Sequence, residues 1–209
     1  MDLNSDAEEI DDENTNDDTT ATADKKSLIK KKKKYVNLNA RKKKAIIILD
    51  LDETLIDDNG NPFPKMNDFV LSLFDKYYVI LWTAGSDLHM KKFLTNNKAL
   101  EKNFIFKISG LYKNTKDAHF IKSHLNNANI QIEKNIPIIL IDDNSIYFKN
   151  NNYDIIIDIK LFYRSEYKNA EDIMYVRYDL VQTCIQNKIK KWQNKKKKSH
   201  IKKHSTIIL

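Results

Sequence analysis

Three acidic residues follow directly after an apolar run in the first third of the chain. The run 45–49 leads into Asp50, Leu51, Asp52 and Glu53. Carboxylates that lie this close together repel one another and are costly to bury, so such clusters usually persist where a cation or a reaction uses them. This segment is therefore the first candidate for a functional site.

Two later apolar runs also end in polar side chains. The residues that follow the runs 77–82 and 137–141 are Thr83, Asp142, Asp143 and Asn144. In an open parallel sheet the ligand binds at the carboxyl ends of the strands. We therefore expect these side chains to converge with the acidic residues of the first segment.

The residue types indicate magnesium and phosphoryl transfer. Oxygen ligands from Asp50, Asp52 and either Asp143 or Asn144 suit Mg²⁺, which prefers carboxylates and water. The sequence contains no cluster of cysteine or histidine that would compete for zinc. With a metal present, one carboxylate can attack a phosphoryl group while the carboxylate two residues on acts as general acid and then as general base.

The elements that must position these residues alternate between short apolar runs and amphipathic segments of helical length. This pattern is typical of an α/β fold with a mainly parallel sheet covered on both faces. Strands are predicted at 45–49, 77–82, 104–108, 137–141 and 153–159. Helices are predicted at 66–75, after the N-caps Ser86 and Asp117, and from Glu171 to about Lys190. His89 and His119 are interpreted as ordinary residues on helix surfaces.

Charge divides the chain into four segments. Residues 1–24 carry seven Asp and three Glu without a basic residue, a composition that predicts a disordered acidic tail. Residues 25–44 hold ten Lys and one Arg and are interpreted as a basic linker, and residues 186–209 hold nine Lys and are interpreted as a basic C-terminal tail. The remaining block, 45–185, is predicted to be one folded domain.

The lysine-rich segments have two interpretations. They could bind nucleic acid or another polyanion, or act as a nuclear-localisation signal, because dense lysine runs gain affinity from counterion release. An AT-rich genome would produce the same excess of Lys, Asn and Ile without any selection for binding. The net charge of the block 45–185, −3, argues against a fold dedicated to nucleic acid.

The remaining composition indicates an intracellular protein. Cys184 is the single cysteine, so an intramolecular disulfide framework is excluded and a reducing compartment is expected. The acidic N-terminus does not resemble a signal peptide, and the apolar runs are too short for a membrane helix. We expect a soluble protein of the cytoplasm or nucleus with no membrane partner.

The motifs resemble those of a known enzyme family. DLDETL at 50–55 resembles the DxDx(T/V) signature of haloacid dehalogenase (HAD) superfamily phosphatases, in the form found in the RNA polymerase II C-terminal-domain (CTD) phosphatases and their small relatives, the FCP/SCP-like group. Three further segments resemble that group's motifs in the same order: FPKMNDFVLSLFDKYYVILWTAG, Lys116-Asp117 and LIDDNSIYF. The resemblance covers roughly residues 45–177. It implies a HAD-like Rossmannoid three-layer α/β/α sandwich without a large cap domain.

The resemblance also implies roles for individual residues. Asp50 would be the nucleophile that forms an aspartyl-phosphate, and Asp52 would protonate the leaving oxygen and later activate water. Thr54 would position this acid, Thr83 would hydrogen-bond a phosphoryl oxygen, and Lys116 would neutralise charge on the phosphoryl group and the nucleophile. Mg²⁺ would be held by Asp50, by the backbone carbonyl of Asp52 and by a residue of the last motif.

Two of these assignments have alternatives. Asp142-Asp143 keeps the family's distance to the aromatic residue that follows, and this pair is favoured for the metal over Asp143-Asn144. Lys122 is the alternative to Lys116, because the stretch that leads to the last motif is longer than in the small phosphatases.

The substrate predicted from the resemblance is a phosphoprotein. Only DDNGN separates Ile56 from Pro62, where the small phosphatases have a long insertion that helps to read a proline beside the phosphoserine. The site should therefore be open and admit phosphoserine or phosphothreonine on a protein. The alternatives are a small-molecule or nucleic-acid phosphate, and a non-enzymatic scaffold that binds polyanions through its lysine-rich tails. The tails and composition are also similar to the shorter CTD-phosphatase-like proteins of large DNA viruses, which would imply a host-cell nucleus.

Overall fold

The fold is seen in a computed structural model that describes residues 42–110, 116–128, 130, 132–133, 135–168 and 171–205. The predicted acidic tail and nearly all of the predicted basic linker lie outside the described residues. The described part of the chain forms a Rossmann-like three-layer α/β sandwich around a five-stranded sheet in which every pairing is parallel. The predicted fold class is confirmed.

The central sheet has the strand order β3-β2-β1-β4-β5. Its strands are β1 (Ile46–Leu49), β2 (Tyr78–Trp82), β3 (Phe106–Ile108), β4 (Ile138–Asp142) and β5 (Ile155–Asp158). All five predicted strands are present, with ends that differ from the prediction by at most two residues. β1 is the middle strand, and its residues are buried on both faces, which explains why it reads as a continuous apolar run.

The helices lie on both faces of this sheet. Within the described residues they are α1 (Met66–Phe74), α2 (Asp87–Asn96), α3 (Lys98–Glu101), α4 (Ala118–Asn127) and α5 (Tyr178–Ser205), together with the short 3-10 helices Ser145–Phe148 and Ile159–Phe162. The apolar sides of α1, α2 and α5 share one core with strand residues such as Ile47 and Leu81. α4 packs on the opposite face against the alternate strand residues, including Ile48 and Trp82.

Both predicted N-caps are confirmed. The Ser86 hydroxyl accepts a hydrogen bond from the backbone N–H of His89 at the start of α2. The Asp117 carboxylate accepts one from the N–H of His119 at the start of α4. These caps satisfy donors that the first helical turn leaves without a partner, and they fix where each helix leaves the sheet.

The helix predicted from Glu171 to about Lys190 is wrong over its first six residues. Residues Glu171–Val176 form a strand, β7, which pairs antiparallel with β6, Tyr163–Lys168. Neither segment was predicted as a strand, because sheet propensity depends on a pairing partner that a single segment does not reveal. The helix begins at Tyr178, with Asp179 in its first turn.

α5 is also longer than predicted and includes most of the segment interpreted as a basic tail. Its core contacts include Val181, Ile185 and Ile189, which recur every four residues and therefore face the sheet. Among the residues of α5 whose burial is described, which end at Ser199, Trp192 is the last that is partly buried against the core. Beyond it, Gln193–Ser199 are exposed, and the helix continues to Ser205. None of the described helices combines the length and the apolar character needed to cross a membrane.

Candidate active site

The candidate site lies where the connections from β1 and β4 leave the sheet. Asp50 follows β1, Asp142 ends β4, and the N–H of Asp50 donates to the carbonyl of Ile141 across this strand pair at 3.0 Å. The chain leaves β1 toward α1 on one face of the sheet, whereas it leaves β4 into the 3-10 helix Ser145–Phe148, whose Phe148 packs in the core on the opposite face. Such a switch point is where open α/β sheets form their ligand crevice.

Three carboxylates converge at this switch point. Asp50, Asp142 and Asp143 each contribute an oxygen atom, and these atoms lie within 4.8 Å of one another. All three residues are buried, with exposed fractions of 6%, 2% and 8%. Carboxylate oxygens held this close, away from water, form a donor set that suits a hard divalent cation such as Mg²⁺.

Lys116 supplies positive charge inside this cluster. Its ammonium group bonds the carboxylate of Asp50 and lies 2.9 Å from Oδ2 of Asp142. The residue is 2% exposed. Burial opposes the charge on Lys116, but Asp50 and Asp142 outweigh it and raise the pKa of the ammonium group. One buried cation thus partly compensates three buried acids, so the cluster can accommodate a further cation.

The ionisation of Asp50 reflects the same balance. Burial raises its pKa to about 7, and repulsion from Asp142 and Asp143 adds to this, whereas the ammonium group of Lys116 lowers it. Any change that brings more positive charge near Asp50 will therefore favour its anionic, nucleophilic form.

The loop after β4 holds its carboxylates with defined partners. Oδ1 of Asp142 accepts the N–H of Asn144 at 2.7 Å, and the Asn144 amide donates to both oxygens of Asp143 at 2.7 and 2.8 Å. Asp143 also pairs with Lys160 at 3.1 Å. Asn144 thus orients Asp143, and the acids that converge with Asp50 are Asp142 and Asp143.

Asp52 faces a different set of partners from Asp50. Its Oδ2 accepts the hydroxyl of Thr83 at 2.9 Å, and its Oδ1 lies 2.6 Å from Nε2 of His89. Its side chain is 48% exposed, in contrast with the buried carboxylate of Asp50. Two carboxylates of one motif therefore have different environments, which is the usual basis for dividing nucleophile and acid–base roles.

The loop that carries these acids is folded tightly. The carbonyl of Leu51 accepts backbone N–H groups from Thr54, Leu55 and Ile56. Glu53 has a φ of 56°, a conformation that non-glycine residues rarely adopt and that tends to occur at functional sites. Burial and the neighbouring Asp58 and Asp143 raise the pKa of Glu53 to about 7.

Two tyrosines from outside the motif support this loop. The hydroxyl of Tyr163 donates to the carbonyl of Glu53, and the hydroxyl of Tyr178 donates to the carbonyl of Thr54 at 2.8 Å. The side chain of Thr54 is buried, and its hydroxyl has no hydrogen-bond partner within the described residues. No bond in the described part joins it to Asp52, which it was expected to position.

Most of the site residues predicted from sequence, but neither Thr54 nor Thr83, line one small cavity. The cavity has a volume of about 120 Å³ and is lined by Asp50, Asp52, Lys116, Asp142 and Asp143 among others. Lys122 lies exposed on α4, so Lys116 is the lysine that reaches Asp50. The side chain of Asp52 does not join the acidic cluster.

Sequence reasoning missed four residues at this site. His89 was interpreted as a surface residue, although its place in the first turn of the helix after Thr83 could have indicated its approach to the motif. Lys160, Tyr163 and Tyr178 come from segments whose position depends on the β6–β7 pairing and on α5. Because the pairing itself was missed, the sequence offered no comparable signal for these three.

No protein-family model matches the chain, and no curated protein is significantly similar to it.

Proposed function

We propose that the protein is a Mg²⁺-dependent phosphatase of the FCP/SCP-like group of the HAD superfamily, which works through an aspartyl-phosphate intermediate on Asp50. The observation that carries this proposal is the buried contact of Lys116 with Asp50, beside two further acids at the end of the neighbouring strand. Phosphoryl transfer to a carboxylate needs a nucleophile and positive charge close to the phosphoryl group. The site offers Asp50 as nucleophile, the fixed ammonium group of Lys116, and an excess of negative charge that a metal ion can offset.

Asp50 and Asp52 divide the covalent chemistry between them. A carboxylate oxygen of Asp50 attacks phosphorus, the bond from phosphorus to the leaving oxygen breaks, and Asp52 donates a proton to that oxygen. Asp52 then takes a proton from a water molecule, which attacks the phosphorus of the aspartyl-phosphate and releases inorganic phosphate and free Asp50. The exposure of Asp52 supports this role, because its carboxyl group can reach both a leaving group and water.

The remaining residues stabilise charge and hold positions. The Lys116 ammonium group, already bonded to Asp50, neutralises negative charge that develops on the transferred group. Asp50, Asp142 and Asp143 would hold Mg²⁺, together with the backbone carbonyl of Asp52 that the resemblance implies. When bound, the metal neutralises phosphoryl oxygens and the crowded carboxylates and so favours the ionised form of Asp50.

A protein-borne phosphate is the proposed substrate. The connection between Ile56 and Pro62 is a compact turn in which Asp57 accepts the N–H groups of Asn59 and Asn61, and it carries no insertion that could cover the site. No cap domain is found among the described residues. An open site suits phosphoserine or phosphothreonine on a protein surface.

The first test is hydrolysis of p-nitrophenyl phosphate by the purified protein with Mg²⁺. Turnover should vanish in Asp50→Asn and in excess chelator, and it should be retained in Asp68→Asn, which alters an exposed acid on α1. A panel of phosphopeptides, nucleotides and sugar phosphates then defines the substrate. Preference for a metabolite or nucleic-acid phosphate over every phosphopeptide would replace the proposed substrate with the small-molecule or nucleic-acid alternative.

A second candidate function is a scaffold that binds polyanions. The observation that favours it is the exposed end of α5, where Lys195, Lys196, Lys197 and Lys198 follow one another. Folded protein with bound Mg²⁺ but no turnover above that of Asp50→Asn would favour this candidate.

A further inference from the structure

The carboxyl group of Asp52 is held at both oxygens by the segment that follows β2. The Thr83 hydroxyl donates to Oδ2 at 2.9 Å, while the Thr83 oxygen itself accepts the N–H of Gly85 at 2.9 Å. The Thr83 hydroxyl uses a lone pair to accept from Gly85 and its single proton to donate to Asp52, so Thr83 is the donor in its bond to Asp52. At the other oxygen, Nε2 of His89 lies 2.6 Å from Oδ1.

Gly85 permits this close approach. A Cβ atom at this position would lie 3.1 Å from Cδ2 of His89, 3.1 Å from the Thr83 hydroxyl oxygen and 3.5 Å from Oδ2 of Asp52. The first two distances are shorter than ordinary van der Waals contacts. A side chain here would therefore push apart the residues that converge on Asp52.

The helix that carries His89 fixes its position beside Asp52. Its backbone N–H is bonded to the N-cap Ser86, so the residue is fixed in the first turn of α2. Its side chain is 36% exposed and faces the partly exposed Asp52. An aspartate that is half exposed would otherwise sample several rotamers, each solvated by water.

We infer that His89 is a positioning residue, which fixes the carboxyl group of Asp52 for proton transfer to the leaving group. The inference rests on the proposed phosphatase activity, and it gives Thr83 a holding role at the opposite oxygen in place of the phosphoryl contact that the resemblance implies. Displacements of about 1 Å at a reacting group can cost about 10²-fold in rate, so a group held at one oxygen only should transfer its proton less efficiently.

The test compares substrates that differ in their need for a proton. p-Nitrophenolate leaves readily as an anion, whereas phenolate and alkoxides need protonation as the bond to phosphorus breaks. The measurement is kcat/KM for a series of aryl phosphates and for phosphoserine peptide, at one pH and saturating Mg²⁺. The slope of log(kcat/KM) against the pKa of the leaving group reports how well the acid delivers its proton.

We expect His89→Ala to steepen this slope. We expect kcat/KM to fall by about 10- to 100-fold for phenyl phosphate and by less than about 3-fold for p-nitrophenyl phosphate, because general acid catalysis is worth about 10²- to 10⁴-fold in rate. His89→Gln should restore the wild-type slope, because its amide Nε2 can donate to the same oxygen. His119→Ala, an exposed histidine on α4, should leave the slope unchanged.

Gly85→Ala gives an independent test that removes no side chain. It should steepen the slope in the same sense as His89→Ala, and it keeps the inference testable if His89→Ala folds poorly. An equal decrease in kcat/KM for all substrates, with the slope unchanged in both variants, would show that His89 has only a structural role and would overturn the inference. Absence of any Asp50-dependent turnover in the wild type would instead overturn the proposed function on which the inference rests.

Discussion

Lys116 contacts Asp142 at 2.9 Å, although the two residues are 26 positions apart and belong to different elements. Lys116 precedes α4 and Asp142 ends β4, so the contact joins a connection on one face of the sheet to a strand end. The same ammonium group bonds Asp50 after β1. One lysine therefore links the elements that build the site, and its removal should affect stability as well as catalysis.

Lys116→Met should destabilise the protein in the absence of divalent cations. Loss of one member of a buried charge cluster leaves the others uncompensated, at a cost of about 3–5 kcal/mol. Urea unfolding in chelator measures this cost, and Lys122→Met on the exposed side of α4 should change the free energy of unfolding by less than about 0.5 kcal/mol. Turnover of p-nitrophenyl phosphate should be lost only in Lys116→Met. Equal stability of the two variants would contradict the proposed place of Lys116 in the cluster.

Binding of Mg²⁺ should stabilise the fold, and more strongly at higher pH. Burial raises the pKa of Asp50 to about 7, so the folded state retains a proton that the unfolded chain releases at lower pH. The stability that this proton confers is present at acid pH and is lost as the pH rises through about 7. A cation binds the ionised form and offsets the loss.

Thermal melting with and without Mg²⁺ checks this linkage. At about 100 times the Kd, Mg²⁺ should raise Tm by about 5–10 °C near pH 8 and by less near pH 6. Asp143→Asn should lose most of the shift, and Asp68→Asn on α1 should keep it. A shift of the same size at both pH values would contradict competition between the cation and the proton on Asp50.

Tyr178→Phe should weaken the loop that carries the acidic motif. The ring stacks on Phe69 with centroids 4.4 Å apart, and that contact survives the change. The lost hydroxyl leaves the buried carbonyl of Thr54 without this donor, which costs about 1–3 kcal/mol. We expect a lower kcat with little change in KM, because the motif shifts while phosphate binding is retained. Tyr175→Phe on β7, whose hydroxyl makes no hydrogen bond to this loop in the described part, is the matched control for urea unfolding and kinetics.

The convergence of the acidic residues was predictable because it depends on strand ends alone. Asp50 and Asp142 both follow apolar runs, and parallel strands bring such ends to one edge of the sheet. The fold class followed from the same alternation of short apolar runs and helical segments. Local sequence was also enough for the caps Ser86 and Asp117, since a cap acts within one helical turn.

Contacts that depend on distant pairing were not predictable. Residues Glu171–Val176 were predicted as helix because the segment that pairs with them, Tyr163–Lys168, gave no signal on its own. Tyr163 and Lys160 therefore reach the site from a region that sequence reasoning left without a role. His89 was missed for a different reason, since an exposed histidine on a helix is usually only a surface residue.

The exposed end of α5 should bind nucleic acid through charge. No Asp or Glu occurs after Asp179, and Lys195–Lys198 lie in the stretch Gln193–Ser199, every residue of which is exposed. Lysines that surround an isolated helix repel one another, so neutralisation by phosphates is favourable. Anisotropy of a labelled DNA duplex across a salt series measures this binding.

Replacing Lys195, Lys196, Lys197 and Lys198 with Gln should weaken DNA binding and flatten its salt dependence. Each phosphate contact contributes about −0.9 to the slope of log K against log salt, so the slope should fall in magnitude by about two to four. The matched control replaces four exposed lysines elsewhere, Lys98, Lys102, Lys122 and Lys149, with Gln. If both variants lose affinity equally, binding follows overall charge, and the end of α5 has no particular role.

Phosphatase activity on p-nitrophenyl phosphate should be unchanged in the α5 variant. The indole N–H of Trp192 donates to Asp154 at 3.0 Å and still anchors this turn of the helix.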